Sequence, residues 1–168
     1  MMSDARAVYR AHPTSEEIDE VLGQRLKAAL GTVNEDGSIH LVYVIFLYEA
    51  GRFYVETSSL TRKARNAAAR AQATLLVDGQ AASGRSVMVA VEGTASVISG
   101  DAARDLNHRL RAKYIKAEAL DSIDRAWGQL DDVSIEIIPG TWRSWTGAAL
   151  HAETQKHLDV PYADIWRE

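Results

Sequence analysis

The chain has 168 residues, 46% of them apolar and 25% charged, with a formal net charge of −4. These values are typical of one soluble globular domain, and the negative charge disfavours non-specific nucleic-acid binding. The absence of cysteine excludes disulfides, thiolate metal sites and cysteine nucleophiles. No apolar run is long enough to span a membrane, and the N-terminal residues lack an apolar signal core, so we expect a cytoplasmic protein.

The N-terminal region is predicted to hold a leader and one helix. Residues 1–13 show no periodic pattern and are expected to form a loose leader. Thr14 and Glu17 have the spacing of a capping box, in which each side chain bonds the other residue's backbone N–H. Apolar residues then recur at helical spacing, which predicts a helix over 15–29 that ends at Gly31.

The rest of the chain is dominated by short apolar segments with turn residues between them. Asn-Glu-Asp-Gly at 34–37 is typical of a hairpin turn, Gly93 inside a long apolar segment indicates a bulge, and Pro139-Gly140 is expected to separate two strands. The pattern predicts about six or seven strands. They cover residues 32–33, 38–48, 52–56, 73–78, 86–99, 133–138 and 141–145.

Three further helices are predicted. One covers the basic segment 61–70, one runs from Asp101 as its N-cap to about Lys116, and a short one covers 119–129. Strand–strand hairpins dominate the chain, and no Gly-x-Gly-x-x-Gly follows a strand. The pattern therefore favours an antiparallel barrel over a doubly wound parallel sheet.

The segment after the third predicted strand carries the clearest chemical signal. The hydroxyl residues Thr57, Ser58 and Thr61 are followed by Arg62 and Lys63, where the basic helix starts. The first N–H groups of a helix lack internal partners and carry partial positive charge, and these side chains add hydrogen bonds and charge. The segment predicts a phosphate-binding turn, with a capped and solvated surface helix as the alternative.

The same segment resembles the pyridoxamine 5′-phosphate oxidase-like flavin split barrels. Thr-Ser-Ser-Leu-Thr-Arg-Lys at 57–63 is similar to the family signature Thr-Asn-Tyr-x-Ser-Arg-Lys. Residues 37–46 resemble its Gly-x-Pro-His-x-x-Pro-Val-x-Phe segment, with Val42 where proline is common. Lys-Ala-Arg-Asn at 63–66 resembles the Lys-x-x-Asn of the wider flavin/deazaflavin oxidoreductase superfamily. Further similarities lie at 91–95, 113–114 and 137–145.

The resemblance implies a mainly β, α+β fold: a split antiparallel β-barrel with a few flanking helices. It implies FMN as the cofactor, with the deazaflavin coenzyme F-420 as the alternative, and hydride transfer to or from a small organic substrate. It does not imply oxidation of pyridoxamine phosphate itself. Met88-Val89-Ala90 stands where the oxidase has a Gln-Val-Arg motif, and the oxidase's arginine-bearing C-terminal segment is missing.

The resemblance also bears on domain organisation and assembly. The cofactor-binding barrel is expected to span 14–147, between the leader and a polar C-terminal tail at 148–168. The family's site lies in a dimer groove, which implies a homodimer. An isolated barrel would also leave apolar surface around 42–46 uncovered. No nucleic-acid or membrane partner is expected.

Carried over residue by residue, the resemblance places the cofactor phosphate on the turn and its ring against the strand at 38–48. Backbone N–H groups of that strand would bond the polar edge of the ring, because the protein's part is to orient the cofactor. Trp142, Trp127 and Trp145 are candidates for stacking, with core packing as the alternative. The predicted cofactor-binding residues are His40, Val42, Tyr43, Val44, Thr57, Ser58, Thr61, Arg62, Lys63, Asn66 and Trp145.

No pattern marks an obligatory catalytic group. His40 is the candidate for a direct role, as a ring contact or proton donor, because imidazole titrates near physiological pH; a solvent-facing histidine is the alternative. His151 and His157 lie on different helical faces without a partner cluster, so no metal site is predicted. The competing functions are a non-catalytic flavin- or haem-binding protein and a haem-degrading relative, which would require an axial histidine such as His40.

Overall fold

The computed structural model describes residues 11–167, and the statements below concern that part of the chain. Its strands form one antiparallel sheet in the order β2-β1-β5-β6-β7-β4-β3. They are β1 (Lys27–Val33), β2 (Ile39–Ile45), β3 (Leu47–Glu49), β4 (Arg52–Ser58), β5 (Gln72–Gln80), β6 (Ser86–Ile98) and β7 (Asp132–Trp145). The helices are α1 (Ser15–Gly23), α2 (Arg62–Ala69), α3 (Gly100–Tyr114), α4 (Ala117–Trp127) and α5 (Ala148–Gln155), followed by a 3-10 turn at Tyr162–Ile165.

The sheet curls around a single core. Leu30 on β1, Leu75 on β5 and Ile135 on β7 are fully buried in the same cluster. The ring centroids of Phe46, which follows β2, and Phe53, on β4, lie 5.9 Å apart although β2 and β4 are near opposite ends of the strand order. The curl therefore brings the two ends of the sheet together, and the predicted split antiparallel barrel is confirmed.

The first helix ends earlier than its sequence pattern predicts. α1 begins with the predicted capping box. Its predicted extension to residue 29 is wrong, because β1 begins there instead and Gly31 lies inside that strand. Ala28, Leu30 and Thr32 alternate into the core, and β1 pairs with both β2 and β5. Pairing on both sides of β1 thus outweighs the helical spacing of its apolar residues.

β6 and β7 pair along most of their lengths, with one irregularity. The register shifts between Glu92 and Gly93, opposite Pro139, which confirms the bulge predicted at Gly93. A Cβ atom at Gly93 would lie 2.4 Å from the carbonyl oxygen of Ile138, so no side chain fits there. The predicted break at Pro139-Gly140 is wrong. β7 continues through it, because a bulge accommodates a proline that cannot donate to the ladder.

α3 packs on the outer face of β4 and β7, and α4 packs on α3. Asp101 is not the N-cap of α3 as predicted: Ser99 holds that position, and Asp101 lies in the first turn. At the other end of α3, the Tyr114 hydroxyl lies 2.8 Å from the Leu26 carbonyl oxygen and 3.0 Å from that of Phe46. These contacts tie α3 to the point where β2 ends and β3 begins.

The residues just before α1 contact the end of β7. The Thr146 N–H donates to the Ala11 carbonyl at 3.2 Å, and His12 Nδ1 lies 2.7 Å from the Ser144 carbonyl oxygen. The rest of the predicted leader, residues 1–10, lies outside the described residues. Part of the predicted polar tail forms α5 and the 3-10 turn. Among residues 11–167, no helix has both the length and the apolar character needed to cross a membrane.

Candidate functional site

The turn between β4 and α2 brings the predicted hydroxyl residues together. Thr61 is the N-cap of α2: its hydroxyl accepts from the Ala64 N–H at 3.4 Å and donates to the Ser58 carbonyl at 2.9 Å. Thr57 Oγ1, 2.9 Å from Thr61 Oγ1, is then the donor of that pair. Ser58 Oγ accepts the Leu60 N–H at 3.2 Å. Ser58 can therefore still donate its hydroxyl hydrogen to a ligand.

The four basic residues of α2 and its C-cap divide into two pairs. Arg65 and Arg70 donate to backbone carbonyl groups at 2.8 and 2.7 Å and so hold the fold together. Arg62 and Lys63 form no hydrogen bond or ion pair with any residue of the described range 11–167. Partial burial without a partner lowers the pKa of Lys63. These two cations and the first N–H groups of α2 offer a place for an anion.

One acidic residue lies close to this anion site. An open polar cleft of about 860 Å³ lies between the β1–β2 hairpin and α2, and both Asp36 and Arg62 line it. Hydrogen bonds from Ser38 lower the pKa of Asp36, and the charge of Arg62 lowers it further. An anion at Arg62 would feel repulsion from Asp36. Lys63 and the helix N–H groups would therefore supply the larger part of its attraction.

Asn66 has a visible structural role. It is 4% exposed, and its Nδ2 donates to Thr32 Oγ1 at 3.1 Å and to Asn34 Oδ1 at 2.9 Å. Its Oδ1 accepts from Arg70 at 3.2 Å. The Nδ2 end of the amide thus fastens α2 to β1. The Oδ1 end holds Arg70, the C-cap of α2, which in turn bonds the Val33 carbonyl of β1. The direct contact with a cofactor that the resemblance implies stays a prediction.

β2 is an edge strand that pairs with β1 alone among the described strands. His40, Val42 and Val44 lie on its inner face, whereas Tyr43 lies on the opposite face and is 75% exposed. Val44 belongs to the core, so only its backbone could contact a ring. The free edge leaves alternate backbone N–H and C=O groups for a ligand. Ile45, the last residue of β2, lines one pocket with the end of β4.

Trp145 lies far from the turn within one subunit. Ser58 pairs with Asp132 at the start of β7, whereas Trp145 ends β7 opposite Met88. Because a strand rises about 3.3 Å per residue, the two ends are roughly 40 Å apart along the strand. The structure therefore places Thr57 and Ser58 beside the end of β2, and Arg62 in the separate cleft beside the β1–β2 hairpin. It does not bring Trp145 to either place.

Of the three candidate tryptophans, Trp127 lies beside the turn. With Ile45 and Leu130 it lines a pocket of about 310 Å³ between α4 and the ends of β2, β4 and β7. Trp142 packs instead against Tyr48 and Phe53, whose ring centroids lie 5.9 and 5.7 Å from its own. For Trp142 the structure thus shows core packing, the alternative to stacking on a cofactor.

The sequence analysis missed an ionic cluster beside this pocket. Arg111 of α3, with a 3% exposed side chain, pairs with Glu56, Asp124 and Asp132. A signal was present in the sequence, because Arg111 and Asn107 recur with the apolar residues of α3 at helical spacing, on its buried face. Polar residues on such a face require buried partners, which the sequence does not identify.

Comparison with known proteins agrees with this fold. The family model described as pyridoxamine 5′-phosphate oxidase matches residues 14–146. The conserved hypothetical protein Rv2991 from Mycobacterium tuberculosis has a TM-score of 0.71 at 20% identity, covering 88% of this chain and 92% of that one. The heme storage protein HutZ from Vibrio cholerae has a TM-score of 0.61 at 17% identity, covering 78% and 92%.

An F420 reductase has a TM-score of 0.54 at 19% identity, covering 78% of this chain and 98% of that one. No curated protein sequence matches the chain significantly. At these identities the solved structures show the fold alone, whereas the family match extends over most of the sequence. The chain belongs to the pyridoxamine 5′-phosphate oxidase-like family of split barrels.

Proposed function

We propose that this chain is an oxidoreductase that binds FMN, or the deazaflavin F-420, and transfers hydride between it and a small organic substrate. The observation that carries the proposal is the pair Arg62 and Lys63, which has no protein partner among residues 11–167. The N-terminus of a helix is its positive end, so two cations there are unfavourable unless an anion joins them. Family membership supports a flavin-type phosphate as that anion.

In this proposal the chain binds and orients the cofactor. Arg62, Lys63 and the first N–H groups of α2 hold the phosphate, and the Ser58 hydroxyl donates to it. The free edge of β2 offers backbone N–H groups to the polar side of the ring, and His40 lies on the inner face of that strand. His40 is the residue of that face whose side chain carries ring nitrogens that can donate or accept a hydrogen bond. The bound cofactor supplies the hydride chemistry.

Titration with each cofactor tests the phosphate site. FMN fluorescence and the F-420 absorption band report binding to the purified protein, and a Soret band would indicate haem instead. Arg62→Ala combined with Lys63→Ala should weaken binding at least about 100-fold, because charged hydrogen bonds contribute about 1.5–3 kcal/mol each. Arg104→Ala, an exposed arginine of α3, is the control. Unchanged affinity in the double variant would refute the site.

A second copy of the chain would complete this site. Ile39, Leu41 and Tyr43 are exposed on the outer face of β2, and the first two border an apolar groove of about 630 Å³ that also includes Leu76. Contiguous apolar surface of this kind marks protein interfaces. Because Trp145 lies far from its own turn, it could approach a cofactor only from a partner subunit. These observations support a homodimer with the cofactor between subunits.

Light scattering tests the dimer. The protein should have a dimer's mass at micromolar concentration, and Leu41→Arg should shift it to the monomer because a charge replaces buried apolar contact. Val160→Arg, also at an exposed apolar position but away from β2, should leave the mass unchanged. A monomeric parent protein would count against the proposed assembly.

A further inference from the structure

The pocket between α4 and the ends of β2, β4 and β7 has two chemically different sides. Its apolar side is formed by Ile45, Trp127 and Leu130, and its polar side includes Glu56 and Asp132. Thr57 and Ser58 also line it, so it adjoins the turn that the proposed cofactor would occupy. Its volume of about 310 Å³ lies at the lower end for small-molecule sites.

The polar side carries more negative than positive charge. Arg111 Nε donates to Glu56 Oε1 at 2.8 Å, and its two other nitrogens donate to Asp124 at 2.8 Å and Asp132 at 2.5 Å. One guanidinium thus faces three carboxylates. His108 Nδ1 lies 2.6 Å from Asp124, so even a protonated His108 leaves the cluster one positive charge short.

Only one carboxylate oxygen in this described cluster lacks a partner. Asp124 and Asp132 use both of their oxygens, since Asn107 donates to the second oxygen of Asp132 at 2.7 Å. Glu56 has an 8% exposed side chain, and its Oε2 accepts no hydrogen bond from residues 11–167. The Ser134 hydroxyl, opposite Glu56 on β7, also has no partner there. It could donate one hydrogen bond but cannot balance the charge.

We propose that this pocket binds a small aromatic ammonium ligand, with its ring against Trp127 and Leu130 and its cationic nitrogen toward Glu56. The excess negative charge favours a cation over an anion. The indole of Trp127 suits the ring of such a ligand. The Arg111 guanidinium already lies over this indole, with its carbon 5.3 Å from the ring centroid, so the charge of the ligand is assigned to Glu56. The inference rests on the proposed function in one respect: it names the substrate class of that same site. The pocket adjoins the cofactor turn at Thr57 and Ser58, and it adjoins the strand proposed to hold the ring at Ile45.

The probe is benzylammonium, with benzoate as its charge-reversed counterpart. The indole N–H resonance of Trp127, assigned with Trp127→Phe, reports occupancy in nitrogen-15 correlation spectra. Benzylammonium should shift this resonance saturably, and benzoate should not. Glu56→Gln keeps the shape of the side chain and should weaken binding at least about tenfold, the effect of losing one charged hydrogen bond. Glu136→Gln removes a carboxylate from the same outer face of the sheet, outside the pocket, and should leave binding unchanged.

Two results would overturn the inference: equal binding of benzoate and benzylammonium, or full affinity in Glu56→Gln. Leu130→Trp provides a second test that leaves the cluster intact, since Leu130 is 62% exposed and a larger side chain there should fill the pocket and abolish binding. Retained binding in that variant also contradicts the inference. FMN titration separates the two proposals: Glu56→Gln should keep FMN affinity, and the Arg62/Lys63 double variant should keep benzylammonium affinity.

Discussion

Arg111 and the pair Arg62 and Lys63 carry the same kind of charge in opposite surroundings. Arg111 lies under α4 with its side chain 3% exposed and three carboxylates around it. Within residues 11–167, Arg62 and Lys63 have no counter-ion contact, although they are adjacent to each other and to a helix N-terminus. For a structural cation such as Arg111, the fold itself provides the carboxylates that neutralise the charge. A cation without partners, in a place where charge repels it, is better explained by a ligand.

The largest expected difference concerns stability. Arg111→Met should lower the free energy of unfolding by about 3–5 kcal/mol, because it leaves three carboxylates together without their guanidinium. Arg62→Ala should change it by less than about 0.5 kcal/mol, as expected for a surface residue without partners. Urea denaturation of both variants measures the contrast. Similar effects in the two would remove the distinction between a structural and a ligand-binding cation.

A substitution of Asn66 distinguishes a structural role of this residue from a direct contact with the cofactor. Asn66→Ala should cost about 1–3 kcal/mol of stability, because it leaves Thr32 and Arg70 short of a buried partner. It should also weaken FMN binding, since α2 would lose its fixed place against β1. Denaturation and FMN titration of the same preparation give both quantities. Weaker FMN binding at unchanged stability would instead indicate a direct contact between Asn66 and the cofactor.

The Arg111 cluster should also give an unusual pH dependence. Burial raises the pKa of Glu56 above its ordinary value of 4.5, and the negative charges of Asp132 and Asp124 raise it further. The hydrogen bonds and the positive charge of Arg111 lower it, but the net shift is upward. The native state then binds more protons than the unfolded state, so the contribution of Glu56 to stability falls as pH rises from about 4.5 through its raised pKa. The stability of Glu56→Gln relative to the parent should therefore increase over that range. A relative stability that decreased with pH would show that the Glu56 pKa is lowered.

The smallest expected effect tests one hydroxyl of the turn. Ser58→Ala should weaken FMN binding roughly threefold to tenfold, the usual contribution of a neutral hydrogen bond. Ser59→Ala is a matched control, because the Ser59 hydroxyl already donates to the Asp131 carboxylate. If both variants lost affinity equally, the turn would be responding to general disturbance and not to loss of a phosphate contact.

Local features of the fold were predictable from the sequence, and distant pairings were not. The capping box at Thr14, the bulge at Gly93 and the basic helix α2 each depend on a few neighbouring residues. The end of α1 and the continuity of β7 depend on partner strands remote in sequence, which outweigh local spacing and the proline.

The candidate site divides in the same way. Thr57, Ser58 and Thr61 lie in one short segment, so their clustering was predictable, whereas the cleft that Arg62 lines depends on the distant β1–β2 hairpin. The Glu56–Arg111 contact joins residues 55 positions apart, on different elements, and no local pattern selects one carboxylate among many as the partner. The sequence can therefore predict that the buried Arg111 of α3 requires acidic partners, but it cannot predict which acidic residues they are.

β2 combines a free backbone edge with the exposed side chains of Ile39, Leu41 and Tyr43. Proteins commonly protect such strands with proline or charge, yet β2 contains no proline and no Asp, Glu, Lys or Arg. An uncovered β2 is thus a template on which another extended chain can add. In the proposed dimer, covering this strand would protect solubility as well as complete a site, and newly folded chains should be most prone to aggregate before they pair.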